Sequence, residues 1–171
     1  MKKFRMKTLC VCMAVSAVLL GGCGKAEEAP ETNVEQSEAE EAVNARPVKE
    51  IYEDIKQAVE LHSPVEMADS FISNYYGIDP EKLEEYIFVM SEEATSAETI
   101  VIMKVKDEGD VEKISEALQV VVDEKRGEME NYLPEQFEIV DKSSVKSKGS
   151  YVYLVISESG DTIVQMIEEE L

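Results

Sequence analysis

The residues most clearly suited to a chemical reaction lie at positions 20 to 23, where Leu20, Gly21 and Gly22 precede Cys23. A cysteine sulfur is a nucleophile that enzymes can modify covalently, and small residues before it let an enzyme approach the backbone closely. Upstream, a basic start is followed by an apolar run that ends at Leu20. This is the pattern of an export signal, because the run is shorter than the roughly 20 residues that a membrane-spanning helix needs.

The arrangement resembles the lipobox of bacterial lipoproteins, in which an aliphatic residue and two small residues precede the modified cysteine. The resemblance implies that residues 1–22 are a lipoprotein signal peptide and that Cys23 carries diacylglycerol with fatty acyl chains such as palmitate. Two acyl chains give stable membrane anchoring. We expect a protein of the cell membrane, lipid-anchored on its extracytoplasmic face and in contact with lipoprotein-processing enzymes. An ordinary signal peptide and a buried apolar helix are the alternatives, and N-acylation of Cys23 is left open.

The composition of the chain argues against thiol chemistry, disulfides and nucleic-acid binding. Cys10 and Cys12 lie in the apolar run, so removal of the signal peptide and acylation of Cys23 would leave no free thiol and no disulfide. The formal charge is -20, and loss of the four basic residues before Thr8 lowers it to -24. Such a charge repels nucleic-acid phosphates, so we expect no nucleic-acid partner.

Residues 23–47 contain seven glutamates and no aromatic residue. A segment of this composition cannot bury enough apolar surface to fold alone. We predict a disordered acidic tether, with an exposed helix as the alternative.

The usual catalytic patterns are missing from the sequence. The chain has one histidine, His62, which we expect near the end of a helix where it interacts with the helix dipole. There is no nucleophile elbow and no phosphate-binding glycine loop. Asp107 and Asp110 form a weak calcium candidate, although a cap at Asp110 is the favoured interpretation. We expect no metal and no cofactor apart from the diacylglycerol on Cys23.

Tyrosines supply the most plausible partner surface, because their rings are both apolar and polar. The candidates are Tyr75, Tyr76, Tyr151 and Tyr153. Packing in the core is the favoured alternative, and alternation along a strand would place Tyr151 and Tyr153 on one sheet face.

Periodicity predicts one domain over residues 48–171, of the α+β class, with the order α-α-β-β-α-β-β-α. The first helix should stop near His62, and Ser63 to Glu66 match a capping box that opens the second helix. The predicted strands are residues 86–90, 100–105, 136–140 and 151–157. A long helix begins after Asp110, and a last one begins at Asp161. We expect a mainly antiparallel four-stranded sheet with the helices on one face.

Several short motifs also suggest a family. They are Tyr76-Gly77-Ile78-Asp79, Leu83-Glu84-Glu85-Tyr86, Met90-Ser91, Ala97-Glu98, Lys104-Val105-Lys106-Asp107, Tyr132-x-Pro134 and Lys148-Gly149-Ser150-Tyr151-Val152. Together they resemble an uncharacterised domain-of-unknown-function family of surface lipoproteins from Gram-positive, clostridial-type anaerobes. The resemblance covers residues 48–157 and implies a single extracytoplasmic domain, with no catalytic or ligand-binding residue to transfer.

Three functional hypotheses follow. The first is a non-enzymatic binding or accessory module of the cell envelope, with a protein or a small molecule as ligand. The second is a cell-envelope hydrolase that uses two carboxylates at a fixed separation. The third is a passive surface or structural protein.

Overall fold

The computed structural model describes residues 46–171, which form five α-helices and five β-strands. The helices are α1 (Val48–Ala58), α2 (Asp69–Tyr76), α3 (Val111–Met129), α4 (Pro134–Lys142) and α5 (Gly160–Glu170). The strands are β1 (Pro64–Glu66), β2 (Leu83–Ser91), β3 (Thr99–Val105), β4 (Val145–Lys148) and β5 (Tyr151–Ile156).

The strands form one antiparallel sheet in the order β1-β2-β3-β5-β4. Its centre is fixed by a row in which Ile102 of β3 lies between Ile87 of β2 and Tyr153 of β5. The α+β class is confirmed. The number of strands is five rather than the predicted four.

Helices cover both faces of the sheet, so the prediction of a single helical layer is wrong. On one face, α1 and α5 pack against side chains such as Ile87, Ile102 and Tyr153. On the other face, α2, α3 and α4 pack against Phe88, Val101 and their neighbours. Successive strand residues point to opposite faces, so strands that are apolar throughout require cover on both.

The segment from Gln136 to Val140, predicted as a strand, belongs to helix α4. Pro134 occupies the first helical position, where its missing N–H costs nothing and its fixed φ favours a helix. Val140 is buried while Glu135 and Glu138 are exposed, which is the spacing of a helix packed by one side.

The predicted capping box at Ser63 to Glu66 is instead a short strand, β1, and α2 begins only at Asp69. Helix α1 ends at Ala58, so His62 lies in the following loop and not at a helix end. At the other side of the sheet, β4 was missed because Lys146 and Lys148 make it polar. Gly149, with a φ of 55°, lies in the turn that joins β4 to β5.

Replacement of Ile102 tests the two-sided core. Its side chain is fully buried at the centre of the sheet, so Ile102→Ala should lower the free energy of unfolding by about 2 to 5 kcal/mol. Val120 is 44% exposed on α3, and Val120→Ala is the matched control, with an expected effect within about 0.5 kcal/mol. Urea denaturation measures both, and equal losses would contradict the assigned core.

Candidate functional site

The two ends of the sheet differ in chemistry. The chain enters the domain at α1, where the Val48 N–H donates to Glu85 Oε2 at 2.8 Å near the start of β2. We call this the tether end. At the opposite end, β2 and β5 finish and β3 begins, and we call this the loop end.

Apart from tyrosines, all the buried polar side chains of residues 46–171 lie at the loop end. They are Ser96, Glu98, Thr99 and Ser157. Thr99 pairs with Ile156, so the four residues sit where β3 starts and β5 stops. The apolar layers end here, and polar groups can enter the interior if they are hydrogen-bonded.

Glu98 is the centre of this group. Its side chain is 7% exposed, and both carboxylate oxygens accept hydrogen bonds. Oε1 accepts from Ser157 Oγ at 2.8 Å, and Oε2 accepts from the backbone N–H of His62 at 2.6 Å. Within the described part of the chain, no Lys, Arg or His side chain forms an ion pair with this carboxylate. The two hydrogen bonds therefore offset its desolvation.

These contacts join segments that are distant in the sequence. Glu98 links the loop after α1 to the end of β5, and the Ala97 N–H donates to Gln136 Oε1 of α4 at 2.8 Å. We call Glu98, Ser157 and the His62 N–H the Glu98 clamp. It holds the loop after α1 against the end of β5, and the neighbouring Ala97 N–H connects the same region to α4 in the other helical layer.

Ser63, next to the clamp, has a φ of 42°, which side-chain-bearing residues rarely adopt. Its C=O accepts from the Glu92 N–H at 3.0 Å, and its Oγ donates to Glu93 Oε1 at 2.7 Å. A left-handed non-glycine residue costs about 1 to 3 kcal/mol and persists only where its surroundings enforce it. The loop end therefore stores backbone strain that its hydrogen bonds maintain.

Two grooves adjoin the loop end. One, of about 400 Å³, contains Ser157, Lys142 and Asp161 among its lining residues. The other, of about 320 Å³, is lined in part by Ser91, Glu93 and Ser96. Hydroxyl and charged groups in these grooves could form hydrogen bonds with a polar ligand.

The four tyrosines of the predicted partner surface do not form one surface. Tyr151 and Tyr153 are buried, at 6% and 3% exposure, so these two rings are core residues on one face of the sheet, as the alternative had it. Tyr76 is half-buried and stacks on Phe88 with ring centroids 5.6 Å apart. Its pKa is raised by burial and by nearby Glu124. Tyr75 remains 69% exposed on α2.

The calcium candidates are used in local contacts. Asp107 Oδ1 accepts from the Gly109 N–H at 2.9 Å, and Asp110 Oδ1 pairs with Lys82 Nζ at 2.5 Å. Asp110 precedes α3 as predicted, but its side chain makes no capping hydrogen bond. Among residues 46–171, no group of three or more His, Cys, Asp or Glu side chains is arranged to hold a metal ion.

The predicted anchor residues Leu20, Gly21, Gly22 and Cys23 lie outside the described residues. Between residues 46 and 171, none of the helices combines the length and the apolar character needed to span a bilayer.

Sequence reasoning missed the Glu98 clamp. The pair Ala97-Glu98 contributed only to the family resemblance. No local pattern shows that an acid before a strand will be buried. Ser157 looked like the last residue of a strand. The only available signal was an acid two positions before the apolar run that starts at Ile100.

Alkaline titration tests the placement of Tyr153. Burial and the hydrogen bond to Glu168 raise its pKa from 10.0 to about 12. The folded state thus holds the phenolic proton more tightly than the unfolded state, so this contribution to stability is complete below about pH 10 and is lost as the pH rises towards 12. Tyr153→Phe should reduce the loss of unfolding free energy between these pH values, whereas Tyr75→Phe should leave it unchanged. Identical pH profiles for the two variants would contradict the assignment.

Removal of the Glu98 carboxylate tests the clamp. Glu98→Ala leaves the Ser157 hydroxyl and the His62 N–H without a partner and should lower the unfolding free energy by about 1 to 3 kcal/mol. Amide exchange of His62 should accelerate more than exchange in the centre of β3. Glu112→Ala, in the exposed first turn of α3, is the control and should change neither measurement. Unaltered exchange at His62 in Glu98→Ala would show that the clamp does not hold this loop.

One of three comparisons with known proteins gave a match. Neither the search of curated proteins nor the search of solved structures gave a match. A family model described as Domain of unknown function (DUF4358) matches residues 57–157, a range that contains His62, Glu98 and Ser157. With more than half of its length matched, the chain belongs to this domain family of unknown function.

Proposed function

We propose that this chain is a lipid-anchored lipoprotein on the extracytoplasmic face of the cell membrane, and that its domain is a non-enzymatic binding or accessory module of the cell envelope. The anchor rests on Leu20, Gly21, Gly22 and Cys23, together with the basic and apolar segments before them. The acidic segment that follows would act as a spacer between the lipid and the domain. A coil of this length spans on the order of 25 to 30 Å.

The observation that carries the binding role is the Glu98 clamp at the loop end. Both oxygens of the buried carboxylate are occupied in holding loops, which is a positioning role rather than proton transfer to a substrate. Loops held on a rigid scaffold are the usual place for binding residues. The chain enters at the opposite, tether end, so a flexible spacer would leave the loop end free to contact a partner.

The anchor is tested by Cys23→Ala. The unmodified chain should partition with membranes and into the detergent phase, because two acyl chains anchor a protein stably. Cys23→Ala should move it to the soluble fraction and abolish labelling by a fatty-acid analogue. Continued lipid labelling of Cys23→Ala would refute the assignment of the anchor.

The binding surface is tested by photocrosslinking in intact cells. A photoreactive residue at exposed Thr95 samples the loop end, and one at exposed Gln119 samples the outer face of α3. We expect a reproducible adduct from position 95 and none from position 119. The adduct should weaken when Glu98→Ala is combined with the probe at position 95. Adducts of equal yield from both positions, or none from either, would count against a binding surface at the loop end.

A further inference from the structure

A second surface of the domain, separate from the loop end, is the outer edge of β2. This strand runs from Leu83 to Ser91, but β1 pairs only with residues 89–91. The Met67 N–H then donates to the Phe88 C=O at 2.8 Å, after which the chain turns into α2. Within residues 46–171, no strand lies beside the stretch from Leu83 to Ile87 on this side.

The backbone geometry shows which groups this edge presents. The Ser91 N–H bonds the Glu98 C=O across the sheet, whereas Phe88 bonds Met67 on the outer side. Because backbone groups alternate in direction along a strand, those of Tyr86 point outwards. Leu83 pairs with Val105 and Glu85 with Lys104, so Glu84 is an extra residue that forms a bulge.

The uncovered edge forms the floor of a groove of about 470 Å³. The start of α1 contributes Pro47 and Lys49 to one wall, and the start of α2 contributes Asp69 to the other. Strands are about 4.8 Å apart in a sheet, so a strand added beside β2 would lie at this distance from it, within the groove. Five residues of free strand correspond to about 16 Å of extended peptide.

The charge of the groove determines which kind of polypeptide segment can bind in it. Its lining includes four carboxylates and one lysine, namely Glu66, Asp69, Glu84, Glu85 and Lys49. Glu84 is paired with Lys104 Nζ at 3.0 Å, which leaves three carboxylates and one lysine. Pairing of two copies through this same edge would bring the carboxylates against each other. The acidic segment of this chain before Arg46 would meet the same repulsion.

The chain's own lysine-bearing edge, β4, is already engaged. Lys146 Nζ pairs with Glu168 Oε1 at 2.9 Å, and Lys148 Nζ donates to the Glu168 C=O at 3.3 Å. The lysines of β4 are therefore partnered within the domain.

We propose that the β2 edge binds an extended, cationic segment of another polypeptide, which adds a strand beside Leu83 to Ile87. This inference rests on the proposed binding function and supplies the chemistry of one partner. The Tyr86 N–H and C=O would form the backbone hydrogen bonds, and lysine or arginine side chains would meet the carboxylates. The interaction should weaken as salt screens the charges.

The test uses two fluorescent octapeptides, one of alternating Lys and Val and one of alternating Glu and Val. They are titrated against the chain from residue 23 onwards, with Cys23→Ser to prevent acylation. The lysine peptide should bind, and the glutamate peptide should not. Glu66→Lys should weaken binding about tenfold, whereas Glu112→Lys, the same charge change on α3, should have little effect. On binding, the Tyr86 amide should gain protection from hydrogen exchange.

Equal weakening by Glu66→Lys and Glu112→Lys would reveal only a general attraction to an acidic protein and would overturn the inference. Binding of both peptides, protection at β4 instead of β2, or self-association of the chain through the β2 edge would also overturn it. If the lysine peptide fails to bind while the adduct from position 95 persists, this inference falls and the proposed function stands. If the position 95 adduct is absent while the lysine peptide still binds, the proposed binding surface at the loop end falls and this inference stands.

Discussion

The structure depends on burial of both faces of the sheet. Every residue of β5 is buried, and β3 has only Lys104 partly exposed. Alternate residues along these strands belong to different cores, so each core exists only while the other helical layer is in place. Dissociation of α1 and α5 would expose Ile87, Ile102 and Tyr153 to water at a cost of about 25 cal/mol for each Å² of apolar area. The two layers should therefore unfold together.

This constraint also determines where polar groups can be placed. The centre of the sheet excludes them on both faces, so buried polar residues lie beyond the ends of the apolar runs, as Glu98 and Ser157 do. At the loop end the segments that connect the two layers meet. A single buried carboxylate can therefore bond a loop from the α1 layer and the end of β5, while the adjacent Ala97 N–H reaches α4 in the other layer.

The sequence predicted the features that depend on continuous apolar character or on long helical periodicity. Strands β2, β3 and β5 and helices α1 and α3 are of this kind.

The wrong predictions concern short segments that carry conflicting signals. Residues 136–140 contain Phe137, Ile139 and Val140, which favour strands, but Pro134 and the packing of Val140 favour the helix that forms. Ser63-Pro64-Val65-Glu66 matches the sequence pattern of a capping box, but Pro64 to Glu66 pair with β2 and form a strand. The second helical layer was implicit in the absence of polar alternation in β3, whereas the Glu98 clamp needs tertiary contacts over 36 and 59 residues that no local pattern contains.

The two sheet edges show how an acidic chain protects a sheet that is apolar on both faces. Exposed edges invite pairing with other chains, and charged side chains, bulges and short strands oppose it. The β4 edge is short and carries lysines held by Glu168. The β2 edge carries a bulge at Glu84 and a groove lined by more carboxylates than lysines. At the first edge Lys146 is paired with the Glu168 carboxylate and Lys148 donates to the Glu168 C=O. The groove at the second edge retains an excess of negative charge. The carboxylates that oppose association of identical copies also make the β2 edge complementary to a cationic strand. One set of residues would therefore both prevent self-association and select a partner.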